Sequence, residues 1–170
     1  MSTANSNNTG RLIGIARRAQ SRAPMEELTT GEISLTAGLD GDYRGFKFPK
    51  RQITVLAIED WEAAMAELAG IAGPPDLHWT TRRANLLTEG MRLPRARGAI
   101  LKIGPVELEV TDQTGPCHRM EEAYRGLLGA LHPYWRGGVT CRVLEPGRVS
   151  IGDETETVSS PPEHVIRLPG

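Results

Sequence analysis

The stretch Ile100-Leu-Lys-Ile-Gly-Pro-Val-Glu-Leu-Glu-Val-Thr-Asp112 holds two short apolar runs, Ile100–Ile103 and Val106–Asp112, parted by a Gly104-Pro105 turn signal. Runs of four to eight residues bounded by Gly, Pro or Asp read as strands. Working outward, the same pattern recurs at Leu12–Ala16, Glu32–Leu35, Gln52–Ile58, Asn85–Thr88, Val139–Leu144 and Arg148–Ile151. Eight such runs predict a mainly antiparallel sheet closed into a barrel or folded as a sandwich. Two helical stripes interrupt them. Trp61, Ala64, Met65 and Leu68 recur at i, i+3, i+4, i+7, with Asp60 placed as N-cap and Gly70 just past the end. Met120, Tyr124, Leu127, Leu128 and Leu131 repeat the pattern up to a stop at Pro133. Both stripes are read as core-facing.

The chain has 170 residues, 20 basic against 21 acidic, a formal charge of -1 and a pI near 6.4. Half of its residues are apolar once glycine is counted, which excludes disorder of the whole chain. The balanced charge argues against general nucleic-acid binding. No apolar run is long enough for a membrane span, and the Ser/Asn/Thr-rich start lacks the apolar core of a signal peptide. A soluble, cytoplasmic protein of one domain is expected, with a disordered tail at 1–10 and a loose end over 159–170. In that setting Cys117 and Cys141 are expected as reduced thiols. Seventeen of the 20 basic residues are arginine. That supplies forks suited to phosphate and carboxylate, but equally reflects an Ala/Gly/Arg/Pro-rich composition.

Chemistry concentrates in Thr111-Asp-Gln-Thr-Gly-Pro-Cys-His-Arg-Met120, where a strand ends, Gly115-Pro116 turns the chain and the second helix starts. This delivers Cys117 to a helix N-terminus beside Arg119. Both features favour the thiolate, the form that acts as nucleophile and soft metal ligand, over a free thiol with pKa of about 8.5. The alternative is a small apolar residue under the helix. Cys141 shares a strand face with Val139 and Val143 and reads as a packing thiol. His78, His118, His132 and His164 show no paired-ligand spacing, which argues against zinc. If Arg83 to Leu87 is extended, Arg83 and Asn85 share a face and could grip an anionic or heteroaromatic ligand, or could line a solvated edge. Asp42 and Glu59 are candidate carboxylates that could equally cap a turn or a helix.

The ordered set Gly41-Asp42, Arg51-Gln52-Ile53-Thr54 with Glu59, Arg83-Ala84-Asn85-Leu86, Thr114-Gly115-Pro116-Cys117, Arg142-Val143 and Gly152-Asp153 resembles the MOSC domain, over about residues 10–158. MOSC domains form the C-terminus of molybdenum-cofactor sulfurases and also occur as stand-alone bacterial proteins. The resemblance implies a mainly β fold: a closed β-barrel, pyruvate-kinase-barrel-like, spanning residues 11–158 with two or three short helices. It also implies binding of the molybdenum cofactor. Cys117 would then carry sulfur as a persulfide or ligate the metal, and Arg83, Asn85, Arg51 and Thr114 would hold the cofactor. The function implied is that of a sulfur-carrier or cofactor-delivery module, or of a molybdenum-dependent reductase of N-hydroxylated compounds. The partner would be a separate sulfur donor or electron-transfer protein, since the sequence holds no ferredoxin-type cysteine cluster. The family is also described as pyridoxal-phosphate-binding, a description matched to no residue of this chain. Many members have a histidine two residues after the Gly-Asp, where this chain has Arg44.

Overall fold

The computed structural model describes residues 8–45, 47–72, 75–115 and 117–163. Its organising strand is β1 (Thr9–Arg17), whose nine residues serve three neighbours. Its start pairs with β11 (Glu154–Ser159), its middle with β6 (Leu86–Glu89) and its end with β2 (Glu26–Leu28). A register shift between Leu12 and Gly14 bends the strand between partners. Glycine is required along it, because a Cβ on Gly10 would overlap the Glu89 carbonyl oxygen and one on Gly14 would lie 2.7 Å from the Trp79 ring. From β11 the sheet continues through β7 (Ile100–Ile103), β8 (Val106–Gln113), β9 (Val139–Glu145) and β5 (Ile53–Ala57) to β6. The β1–β11 pairing closes this into a seven-stranded barrel, the closed alternative of the two that the sequence left open. A three-stranded sheet of β3 (Thr30–Ser34), β4 (Gly38–Leu39) and β10 (Gly147–Ser150) stands beside it.

All eight expected strands are present, with β2, β4 and β11 in addition. The mainly antiparallel expectation holds with one exception, since β5 and β6 run parallel. Parallel neighbours need a crossover, and helix α1 (Ile58–Ala72) supplies it. The crossover also explains why all five residues of β5 are buried. Ile53, Val55 and Ala57 belong to the barrel interior, while Leu56 joins Trp61, Ala64, Leu68, Met120, Leu127 and Leu131 in a second core where the helices cover the barrel.

Three sequence expectations need correction here. Helix α1 starts at Ile58, so Asp60 lies in its first turn, favourably for the dipole, and Gly70 lies inside it. The second stripe is two helices, α2 (His118–Ala123) and α3 (Leu127–Leu131), because Gly126 turns the chain at φ 92°. The Glu121 carboxylate accepts from the Gly126 and Leu128 N–H groups and so starts α3. Thr9 and Gly10, expected in a disordered tail, are in β1, and Glu163, expected in a loose end, is tied to Arg92 and to the Arg95 N–H. Residues 1–7 and 164–170 lie outside the described residues, His164 among them.

Asn85 ties three strands together. Its amide oxygen accepts from the Thr54 N–H at 3.0 Å and the Thr54 hydroxyl at 3.1 Å, and its amide nitrogen donates to the Ala16 carbonyl at 3.2 Å. Its backbone N–H returns to Thr54, and its carbonyl accepts from the Ala16 N–H. Removing the amide strands buried groups on two strands at once. Asn85→Ala is therefore expected to cost about 3 kcal/mol in a urea unfolding series, and a loss under about 1 kcal/mol would show the junction to be dispensable.

Candidate functional site

β1 ends at Arg17, and the next residue, Arg18, is 3% exposed. Its guanidinium Nη1 is buried and has no hydrogen-bond partner among the described residues. Arg83 follows the 3-10 turn at Trp79–Arg82 in a left-handed conformation, φ 66° and ψ 29°, and its Nη1 is likewise buried and unpartnered. β6 begins only at Leu86, so the expectation that Arg83 and Asn85 share the face of an extended strand is corrected. The turn separates them. Arg83 lies near Cys117, while the Asn85 amide is held between β5 and β1.

Beyond the end of β8, Thr114 donates its N–H to the Gly138 carbonyl, and its own carbonyl accepts from Arg82 at 3.0 Å. The Thr114 hydroxyl is buried and has no hydrogen-bond partner among the described residues. Arg82 is 6% exposed and also bonds the Gly137 carbonyl at 3.0 Å, so one buried guanidinium joins the segment that leads to Cys117 with the segment that leads into β9. Burial lowers the Arg82 pKa to about 10, and the nearby Cys117 sulfur opposes that shift.

Cys117 occupies the N-cap position of α2, exposed, with no side-chain capping bond. The cations around it are numerous. Burial first, then the charges of Arg44 and Arg83, lower Arg18 to about 10, with Asp42 opposing and Arg119 adding to the shift. Arg83 is lowered by burial and by Arg119 and Arg44, and the Cys117 sulfur opposes. Asp42 is the acid of this cluster, and it also accepts from the Arg18 and Arg44 N–H groups, so it caps backbone as well as balancing charge. Glu59 accepts from the Gly90 N–H. Both carboxylates thus take the capping alternative.

Arg51 is exposed and lines a separate surface depression of about 350 Å³ with Lys50, Arg97, Thr111, Asp112 and Thr140. Cys141 is fully buried in the barrel core, where desolvation pushes its thiol pKa up. Sequence reasoning placed Arg119 beside the thiol but missed Arg18 and Arg82 as members of the surrounding cluster. The available signal was positional: the doublets Arg17-Arg18 and Arg82-Arg83 stand at the edges of apolar runs, where a buried charge is otherwise out of place.

No group of three or more His, Cys, Asp or Glu side chains able to hold a metal occurs among the described residues. A metal at Cys117 would have to bring its remaining ligands with it. No helix among the described residues is long and apolar enough to cross a membrane.

A barrel with a Pro-Cys loop after one strand and an Arg-x-Asn segment before another defines the MOSC class, and residues 40–156 match the MOSC domain. The chain belongs to that family. Among solved structures it is similar to the YuaD protein of Bacillus subtilis, at 21% identity and a TM-score of 0.67 over 88% of this chain and 95% of that one. It is also similar to YiiM of Escherichia coli, at 19% and 0.61 over 88% and 70%. YiiM of Geobacillus stearothermophilus aligns at 15% and 0.60 over 88% and 73%. These likenesses concern the fold. No curated protein sequence matches the chain.

The exposure of the two thiols gives a direct test. Iodoacetamide is expected to label Cys117 in the folded protein and to leave Cys141 unmodified until denaturant is added. Peptide mass spectrometry reads this, and labelling of Cys141 at a comparable rate would contradict the packing described.

Proposed function

We propose that this protein binds the molybdenum cofactor at the site marked by Arg18, Arg83, Thr114 and Cys117. The observation that carries the reading is the pair of buried guanidinium nitrogens, Arg18 Nη1 and Arg83 Nη1, left without partners near an exposed thiol. Leaving a buried charged donor unmet costs about 1–3 kcal/mol or more, a cost that an oxyanion ligand offsets. A phosphate-bearing ligand fits that donor set. A guanidinium fork binds phosphate oxygens in parallel, and the Thr114 hydroxyl adds one further donor. Asn85, with its amide committed to Thr54 and Ala16, has no place in this site's proposed ligand set, and neither does Arg51.

When bound, the cofactor supplies a two-electron metal centre and the dithiolene sulfurs that accompany a single protein thiolate. The chain contributes the rest. Cys117 offers the soft ligand, Arg18 and Arg83 neutralise the anionic end, and Arg82 holds the loop before the cysteine through Thr114. Reduction of an N-hydroxylated compound breaks one N–O bond, takes up two electrons and two protons and releases water. A separate reductase would supply the electrons. A second reading rests on the exposure of Cys117, which also suits a persulfide carrier whose thiolate takes the outer sulfur of a donor protein's persulfide, the donor S–S bond breaking and the donor cysteine leaving as thiolate.

Protein purified from a host that makes the cofactor is expected to hold about one molybdenum per chain. Arg83→Ala should lower pterin content tenfold or more while the melting temperature changes little, since a lost charged hydrogen bond is worth about 1.5–3 kcal/mol. Cys117→Ser should abolish N-hydroxy reduction in a folded protein. One extra sulfur on Cys117 without metal would select the carrier. Absence of both metal and persulfide from such protein would reject the cofactor-site reading.

A further inference from the structure

The segment from Tyr43 to Arg51 carries Arg44, Lys47, Lys50 and Arg51, and no acid occurs between Asp42 and Glu59. Two of the three lysines in the whole chain are here, in a protein of net charge -1. The described residues of the segment are neither helix nor strand, yet it is fastened at both ends. The Tyr43 N–H donates to the Arg18 carbonyl at 2.8 Å, and the Lys50 carbonyl accepts from the Thr111 hydroxyl on β8. Between them, Lys47 and Phe48 N–H groups return to the Arg44 carbonyl and the Arg51 N–H to that of Phe48. Gly45 passes so close to the chain that a Cβ would overlap the Ala37 carbonyl oxygen.

The side chains point outward from this fixed backbone. Lys47, Lys50 and Arg51 are exposed, and Phe48 is 48% exposed among them. At one end the strap meets the site. Lys47 lies over the Tyr43 ring, 4.0 Å from its centre, and bonds its hydroxyl at 2.6 Å, while Arg18 and Arg119 stand near enough to draw the phenol pKa down further. At the other end Lys50 and Arg51 open onto the depression with Arg97 and the Thr111 and Thr140 hydroxyls. The acid there, Asp112, is paired with Arg97. Further along β8 the outward face turns acidic at Glu109 and Glu107, and Glu109 is paired with Arg142, which sets the patch's border.

We propose that the basic strap 43–51, with Phe48 exposed among its cations and Arg97 beside it, is the docking surface for an acidic electron-transfer protein that reduces the site at Cys117. This rests on the reading of Cys117 as part of a centre reduced by another protein. An exposed aromatic ringed by like charges is the composition of a transient protein contact, with the charges steering and the aromatic anchoring. A small anion would not use it in that way. Lys47 and Lys50 are exposed, whereas the guanidinium ends of Arg18 and Arg83 carry buried nitrogens.

The test uses the full chain and an acidic bacterial flavodoxin as probe, with titration calorimetry at low and at physiological salt. Binding is expected to weaken as salt rises, because surface charges are screened within about 8 Å at 0.15 M. Lys47→Glu combined with Lys50→Glu should weaken binding at least tenfold with an unchanged melting transition. Lys50→Ala alone should shift it in the same direction by less, and it keeps the test open if the double variant folds poorly. A basic cytochrome should not bind. The proposal is overturned if flavodoxin does not bind the wild type, if charge reversal leaves its affinity intact, or if duplex DNA binds equally well. Molybdenum content separates the two readings. An unchanged content in the double variant with lost docking supports the surface, whereas molybdenum missing from both proteins counts against the cofactor site and leaves the docking result standing.

Discussion

The contacts of Asn85 with Thr54 and Ala16 hold together more of this structure than any other side-chain interaction described. One amide joins β5, β6 and β1 where the parallel pair meets the strand that closes the barrel. Its burial makes the bonds strong, because water does not compete, and makes them obligatory, because each unmet partner would remain unmet. Asn85 is fixed between β5 and β1, and two residues before it the chain turns through Arg83 in the left-handed region. A non-glycine residue held there costs about 1 kcal/mol or more.

Burial of β5 on both sides divides the core in two. The barrel interior is filled by branched aliphatic residues at alternate strand positions, while the helices seal one outer wall through Trp61, Leu68, Met120 and Leu127. That wall does more than bury area. Met120 is buried in the helical core, so α2 is anchored three residues after Cys117, and the cysteine's place beside the strand ends follows from ordinary packing. The site is thereby carried on a loop whose two ends are rigid, a common arrangement for binding and catalytic residues.

The electrostatics of the site run against the economy of the rest of the fold. Elsewhere the charged side chains pair at the surface, as Arg11 does with Glu89 and Arg148 with Glu32, and such pairs contribute little. Near Cys117 several guanidinium groups crowd together with Asp42 as their acid, and two of them keep unbonded nitrogens in the interior. Local departures of this kind are expected where function has been placed above stability. A fold can tolerate them when a ligand of opposite charge restores the balance.

Strand existence was legible from the primary sequence, because a run such as Val106–Asp112 is bounded by turn residues whatever the rest of the chain does. So were the apolar stripes of the helices, the burial of Cys141 and the placement of Cys117 where a helix begins, all of which follow from local periodicity and punctuation. What escaped was non-local. Strand β11 is rich in Glu and Thr and lacks an apolar run, and it is a strand because β1 and β7 supply partners on either side. Asn85 looked like a ligand contact because a buried amide and a ligand-binding amide have the same sequence signature; only Thr54 and Ala16, 31 and 69 residues away, distinguish them. Likewise Arg18 and Arg82 join the site only when β1 and the turn before β6 are brought together. The sequence by itself determined where eight of the strands and the apolar helical stripes lie, and that Cys141 packs in the core. The tertiary structure decided which arginines surround Cys117, because hydrogen-bond and charge partners are chosen by distance in space, and local pattern carries no record of it.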